Sequence, residues 1–183
     1  MVIENHRLFA FDTKELLSML INPNEIKIGC SVFDAEHVAL VNMINAIHKL
    51  LKQGNREKAK EIFQKGLVEY TEKHLAHEEK VMEKFGYPDL EMHKKSHEMF
   101  KRVIAEGIKN LDDPKAFASE AAMAMGWIFG HVQKTDKKYV DFFKEKGCWE
   151  EACEMLEQPV ELEIEEELRQ ILGPEYVEVP VKK

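Results

Sequence analysis

Apolar residues recur every three or four positions along most of this chain, and the interruptions in that pattern divide it into helices. The clearest run puts Leu40, Val41, Ile44, Ile47 and Leu51 on one face, the spacing of an amphipathic helix. Asp34 stands where it can cap that helix, and Gln53, Gly54 and Asn55 end it. A second helix is predicted over residues 56–85, with Ile62, Phe63, Leu67, Tyr70 and His74 inward. Gly86, Tyr87 and Pro88 then reverse the chain into a third helix over residues 89–110. Asp112, Asp113 and Pro114 turn it again, and Pro114 suits the first turn of a fourth helix reaching about Lys144. Long amphipathic helices joined by short turns predict an all-α fold, an up-down-up-down four-helix bundle with short accessory helices at both ends.

The pattern is weaker at the flanks. Asp12 with Glu15 resembles a capping box ahead of LLSMLI, so a short helix is predicted up to Ile21, ended by Asn22, Pro23 and Asn24. Beyond Gly147, one helix is expected from Trp149 to Leu156. A second would carry Ile164, Leu168, Ile171 and Leu172 on one stripe before Gly173 and Pro174 stop it. VEVPV near the end alternates like a strand but is too short to decide. The expected organisation is an N-terminal extension (1–26), the bundle (27–146) and an acidic C-terminal extension (147–183).

Charge sharpens that division. The chain has 183 residues and a formal net charge of −8. Residues 147–183 hold 11 Glu against Arg169, Lys182 and Lys183, so the tail carries the whole excess and the remainder balances. A balanced bundle with an acidic tail argues against nucleic acid as a partner. The tail reads as a solvated helix face or as a docking segment for another protein or a second copy. No apolar run approaches the ~20 residues of a membrane helix, and the N-terminus lacks a signal-peptide pattern, so a cytoplasmic location away from membranes is expected. Three cysteines show neither a CxxC pair nor the density of a disulfide framework, so reduced thiols are expected. Cys30 and Cys148 are expected to be neighbours, because the first helix starts and the fourth ends at the same end of such a bundle.

Histidines and carboxylates carry the candidate chemistry. His74 with Glu78, and His93 with His97, stand four residues apart, ~40° around a helix, so each pair projects from one face. His37 on the first helix and His131 with Asp136 on the fourth complete an inward set. The His131–Asp136 interval of five residues is ~140° on an ideal helix, so that pair needs a reaching carboxylate or a π-type bulge. Five imidazoles and two carboxylates exceed what one tetrahedral zinc uses, and no HExxH is present. Two metals are implied; imidazole with carboxylate suits iron, and Glu78 and Asp136 can bridge two ions. His6, His48 and His77 read as surface or core residues, with His77 near the edge of the site. Trp127, one turn before His131, reads first as packing, and Met82, Met99 and Met125 as core filling or helix surface.

The segments FDAEH, HLAHEE, HKKSH and WIFGHVQKTD resemble the hemerythrin family in its single-domain bacterial form, over roughly residues 27–146. The resemblance implies that His93, His97 and His131 hold one iron and that His37 and His74 hold the other. Glu78, Asp136 and a solvent-derived oxo or hydroxo group would bridge the pair, which cycles between Fe2+ and Fe3+. One iron is then left with an open position for dioxygen or another small diatomic or anion. The resemblance places Leu40, Leu75, Trp127, Ile128 and Val132 around that position. It implies reversible dioxygen binding for storage, delivery or sensing. Two alternatives stay open: a di-iron enzyme reducing peroxide, nitric oxide or dioxygen, and a sensing module acting through a partner. Ferritin-like oxidase chemistry is disfavoured, because the chain contains no Glu-x-x-His. The chain departs from the family pattern at Asn22, where Trp is common, at Glu36, where Gln is usual, and in its extended ends.

Overall fold

The computed structural model describes residues 22–179. The predicted N-terminal helix lies outside them. A 3-10 turn, Pro23–Ile26, leads into helix α1, Ser31–Lys52. Asp34 does not cap this helix. α1 starts three residues earlier, with Cys30 at the N-cap, and the Asp34 carboxylate accepts the Ile28 N–H at 2.6 Å and the Gly29 N–H at 3.2 Å. A carboxylate in the first turn sits at the positive end of the helix dipole and can tie down the incoming chain. Gly29 has φ of 87°, the left-handed conformation that permits the sharp entry.

Helix α2 spans residues 56–84 and is not uniformly α-helical. Arg56–Ile62 and Glu69–Lys84 flank a π-helical turn, Phe63–Val68, that periodicity does not signal. The predicted inner residues Ile62, Phe63, Leu67, Tyr70 and His74 are all buried. Helix α3 is Leu90–Lys109. Helix α4 spans residues 114–145, capped by the Asp113 carboxylate on the N–H groups of Lys115 and Ala116. It too contains a π-helical turn, His131–Asp136, the bulge that the five-residue interval demands.

Two apolar clusters fill the bundle. One gathers Leu40, Ile44, Phe63, Phe100, Phe117 and Ile128 toward one end. The other gathers Phe33, Met82, Tyr87, Tyr139 and Phe143 toward the opposite end. On every helix the candidate ligands fall in sequence between residues of the two clusters, so the polar centre sits at the waist with packed apolar layers above and below.

The C-terminal extension packs on both layers. Helix α5, Trp149–Glu154, places Trp149 and Ala152 in the second cluster. Helix α6, Glu165–Leu172, buries Leu168 and Leu172 in the first. Ile164 and Ile171 pack against the same cluster half-buried, so the chain itself covers the predicted stripe, at about 1.5–3 kcal/mol per fully buried leucine. Asn42 on α1 receives the end of the tail through its amide, donating to the Val177 carbonyl at 2.7 Å and accepting the Val177 N–H at 3.3 Å. Val177–Val179, the described part of VEVPV, forms no strand. Among the described residues, no helix is long and apolar enough to cross a membrane.

Cys30 belongs to the second apolar cluster, and Cys148 and Cys153 pack against it. All three thiols are free. Cys153 lies close enough to Cys30 to perturb its ionisation, whereas Cys148 donates to the Phe143 carbonyl at 3.7 Å. The Phe143 carbonyl lies at the end of α4, where Gly147 (φ 68°) reverses the chain. Cys148 is thereby occupied at the helix end, and α5 presents Cys153.

Candidate metal centre

Each α-helix of the bundle delivers donors to one buried point. α1 supplies His37, α2 His74 and Glu78, α3 His93 and His97, and α4 His131 and Asp136, each at most 5% exposed. The π turn in α4 moves Asp136 onto the His131 side of the helix, 2.9 Å from Oδ1 to Nε2. Glu78 Oε2 lies 3.1 Å from His97 Nε2, 3.6 Å from His93 Nε2 and 3.9 Å from His74 Nε2. Asp136 faces both ways: Oδ1 lies 3.5 Å from His93 Nε2, and Oδ2 lies 3.8 Å from His37 Nε2. Two overlapping donor groups result, Glu78–His93–His97–His131 and His37–His74–Glu78. Glu78 belongs to both.

The far nitrogens of the rings are mostly held from behind. His37 Nδ1–H donates to the Ile26 carbonyl at 3.0 Å, His74 Nδ1–H to Glu36 Oε2 at 2.7 Å, and His97 Nδ1–H to Glu79 Oε1 at 2.7 Å. His131 Nδ1 hydrogen-bonds the Ser96 hydroxyl at 3.0 Å. Trp127 stacks on the His131 ring, 4.2 Å between centroids and 16° from parallel, and on Phe100 beyond it, so it is more than filler. Such backing fixes ring orientation and tautomer, and aims Nε2 at the centre. Tyr139 O–H donates to Glu78 Oε1 at 2.9 Å, orienting the shared carboxylate.

At the centre, by contrast, His37 Nε2, His93 Nε2, His131 Nε2 and both Asp136 oxygens are buried with no hydrogen-bond partner. Leaving several such atoms unsatisfied costs about 1–3 kcal/mol each, so they describe a place shaped for a cation. The electrostatics agree. Burial, then the neighbouring Glu78 charge, pushes Asp136 well above the usual carboxylate range. Burial acts on Glu78 in the same sense, yet the His74 charge, the nearby His93 ring and the hydrogen bond from His97 hold it well below that range. Burial, then the His74 charge, lowers His37 to about 3, and burial lowers His131 to about 3. Burial also opposes charging of His74, but Glu78 and Glu36 prevail and raise it to about 9. Two carboxylates crowded in an apolar interior repel each other until a proton or a cation intervenes. Seven imidazole and carboxylate donors with opposed environments fit two cations, with the carboxylates between them.

On one side the centre opens to a small cavity lined by Leu40, Thr71, Leu75, Phe100, Trp127, Ile128 and Val132, with His74 and His131 at its polar edge. All five residues placed there by resemblance line it. The spacing argument missed the supporting groups: Glu36, Glu79, Ser96 and Tyr139. Glu36 and Glu79 each stand one residue from a ligand, and Tyr139 three residues after Asp136, which is the only trace they leave in the sequence. His77 also proves to be part of this support, donating Nδ1–H to Glu36 Oε1 at 2.6 Å. His48 is buried but stands outside the donor groups.

Residues 29–143 match the hemerythrin HHE cation binding domain. The chain is 30% identical to the bacteriohemerythrin of Stenotrophomonas maltophilia over 129 residues, 70% of this chain and 84% of that one. It is 32% identical to a bacteriohemerythrin of Pseudomonas aeruginosa over 126 residues, covering 68% and 82%. It is 31% identical to that of Clostridium acetobutylicum over 130 residues, 67% of this chain and all of that one. No solved structure matches. The matched segment coincides with the bundle and contains every donor of the centre, and the chain belongs to the hemerythrin family.

Proposed function

We propose that this protein holds two iron ions at the waist of its bundle and binds dioxygen reversibly from the adjacent cavity. His93, His97 and His131 would hold one iron and His37 and His74 the other, with Glu78 and Asp136 shared. Iron at this centre supplies electrons that a bound dioxygen takes up and returns on release. The observation that carries the reading is the convergence of unpaired Nε2 and carboxylate atoms from four helices beside an apolar cavity.

The chain's own groups account for reversibility. The His37–His74 half would draw on four residues, His37, His74, Glu78 and Asp136, where the other half draws on five, so it is one protein ligand shorter, and it faces the cavity through His74. Leu40, Leu75, Ile128 and Val132 exclude water, and an apolar wall disfavours escape of a charged, reduced ligand while permitting departure of neutral dioxygen. Glu36, Glu79 and Ser96 hold the ring orientations, so little rearrangement accompanies loading or release.

Two measurements test this. Metal analysis of protein purified with iron in excess should give two irons per chain; zinc, or a single iron at full occupancy, overturns the assignment. Anaerobically reduced protein should then change spectrum on dioxygen addition and recover the ferrous spectrum when the gas is removed. Irreversible oxidation in one cycle would place the chain among enzymes instead.

A further inference from the structure

The Glu36 carboxylate is fully buried and accepts three hydrogen bonds from two separate parts of the chain. Oε2 takes His74 Nδ1–H at 2.7 Å; Oε1 takes His77 Nδ1–H at 2.6 Å and the Val160 backbone N–H at 3.0 Å. Two of these donors come from α2, and the third comes from the C-terminal extension, 124 residues along the chain. Three N–H donors converge on its two oxygens, an arrangement that suits the carboxylate anion and makes each of these bonds charge-assisted.

We propose that Glu36 is a positioning residue that couples docking of the C-terminal extension to metal occupancy of the His37–His74 half of the centre, so that the extension responds to the state of the site. This rests on the metal-binding reading above.

The coupling follows from the geometry. His74 has two ring nitrogens; one faces the centre and the other holds Glu36. A cation on Nε2 fixes the ring and polarises Nδ1–H, which strengthens its bond to Glu36 and settles the carboxylate in place. The carboxylate then presents a better-fixed acceptor to Val160 N–H. Val160 belongs to the same apolar cluster as Leu168 and Leu172 of α6, so the effect reaches a packed segment rather than a loose end. A glutamine at position 36 cannot reproduce this. Its amide has one acceptor oxygen and one donor nitrogen, and it would turn an N–H toward at least one of three N–H donors. The charge at Glu36 is thus matched to a set of donors that includes the extension itself.

By linkage the coupling must be reciprocal: metal tightens the extension, and the docked extension tightens metal in that half. Hydrogen exchange of backbone amides in the full chain reads the first direction. Ferrous iron added anaerobically to the metal-free protein should slow exchange at Val160 and in the amides of α6 on the order of tenfold, and Glu36→Gln should abolish the slowing while Leu168 and Leu172 keep the segment docked. Metal content is measured on the same samples. Val160→Pro, which removes the N–H while keeping an apolar residue at the cost of a fixed φ, reads the second direction: it should weaken binding of the second iron by a similar factor and leave the first unchanged. Wild-type protein that takes up two irons without slowing exchange in the extension overturns the coupling alone, as does a Glu36→Gln variant that keeps the full slowing. Wild-type protein that takes up no iron overturns the reading of the site and the coupling together.

Discussion

Glu78 and Asp136 are both fully buried carboxylates in one cluster, yet their environments push them in opposite directions, so neutralising each should have opposite effects on the metal-free fold. Asp136 is held well above the ordinary range by burial and by Glu78, and neither of its oxygens has a hydrogen-bond partner. A group whose folded pKa exceeds its unfolded value subtracts stability. That cost is absent below the unfolded value of about 4 and then grows by about 1.4 kcal/mol per pH unit until the folded value is reached. Asp136→Asn cannot ionise and escapes it. In chelator-treated protein, its stability relative to wild type should therefore rise as pH increases above about 4 and level off once the folded value is passed. Glu78 is the reverse case: its pKa is depressed, so its contribution is present above the unfolded value of about 4.3 and is lost as pH falls through the folded one. Glu78→Gln deprives the charged His74 of its counter-ion and weakens the bonds from His97 and Tyr139. The expected loss is about 3–5 kcal/mol at neutral pH. Urea denaturation followed by far-UV circular dichroism measures both, with m-values confirming that only stability has changed. Both variants should lose metal. If the Asp136→Asn difference is flat with pH, or both substitutions destabilise alike, the opposed carboxylate environments deduced above are wrong.

Other consequences can be checked more briefly. Iron should raise the melting temperature, since the ligands come from four helices; free metal at a hundredfold its dissociation constant adds about 2.7 kcal/mol, and equal melting of the metal-free and loaded forms would contradict this. Loading should also release protons at neutral pH, because His74 titrates at about 9 and Asp136 is raised, so affinity should weaken as pH falls below about 9; an indicator dye in weak buffer detects the release. Leu168→Ala, at a fully buried position against α1, should cost about 2–5 kcal/mol without removing iron, as seen by denaturation and metal analysis in parallel. Leu40→Ala or Ile128→Ala opens the apolar wall and should speed irreversible oxidation of the dioxygen-loaded form and azide entry to the ferric form at near-normal iron content; unchanged rates in both would mean that these side chains do not guard the cavity.

Sequence spacing determined those features that depend on a single helix. His74 with Glu78 and His93 with His97 share faces because four residues nearly complete a turn, whatever the helix packs against. The His131–Asp136 interval by itself requires a π-type turn or a long reach, and the fold contains the turn. The turns at Gly86 and Pro114 set helix order in the same local way. Tertiary structure decided everything that crosses between helices. No periodicity tells which of many surface-coded glutamates will be drawn inside, yet Glu36 and Glu79 are the ones that reach His74 and His97 from other helices. The second π turn, in α2, lies where Phe63 meets Phe117 and where a Cβ at Gly66 would collide with Ile164 of the tail, contacts invisible along the chain. Cys153 also comes beside Cys30 because the chain reverses at Gly147 and α5 folds back. The acidic tail, legible as charge, joins the bundle because two leucines and one backbone N–H find partners more than a hundred residues away. Local rules fix angles about one axis; the rotation and separation of several axes come only from how their side chains pack together.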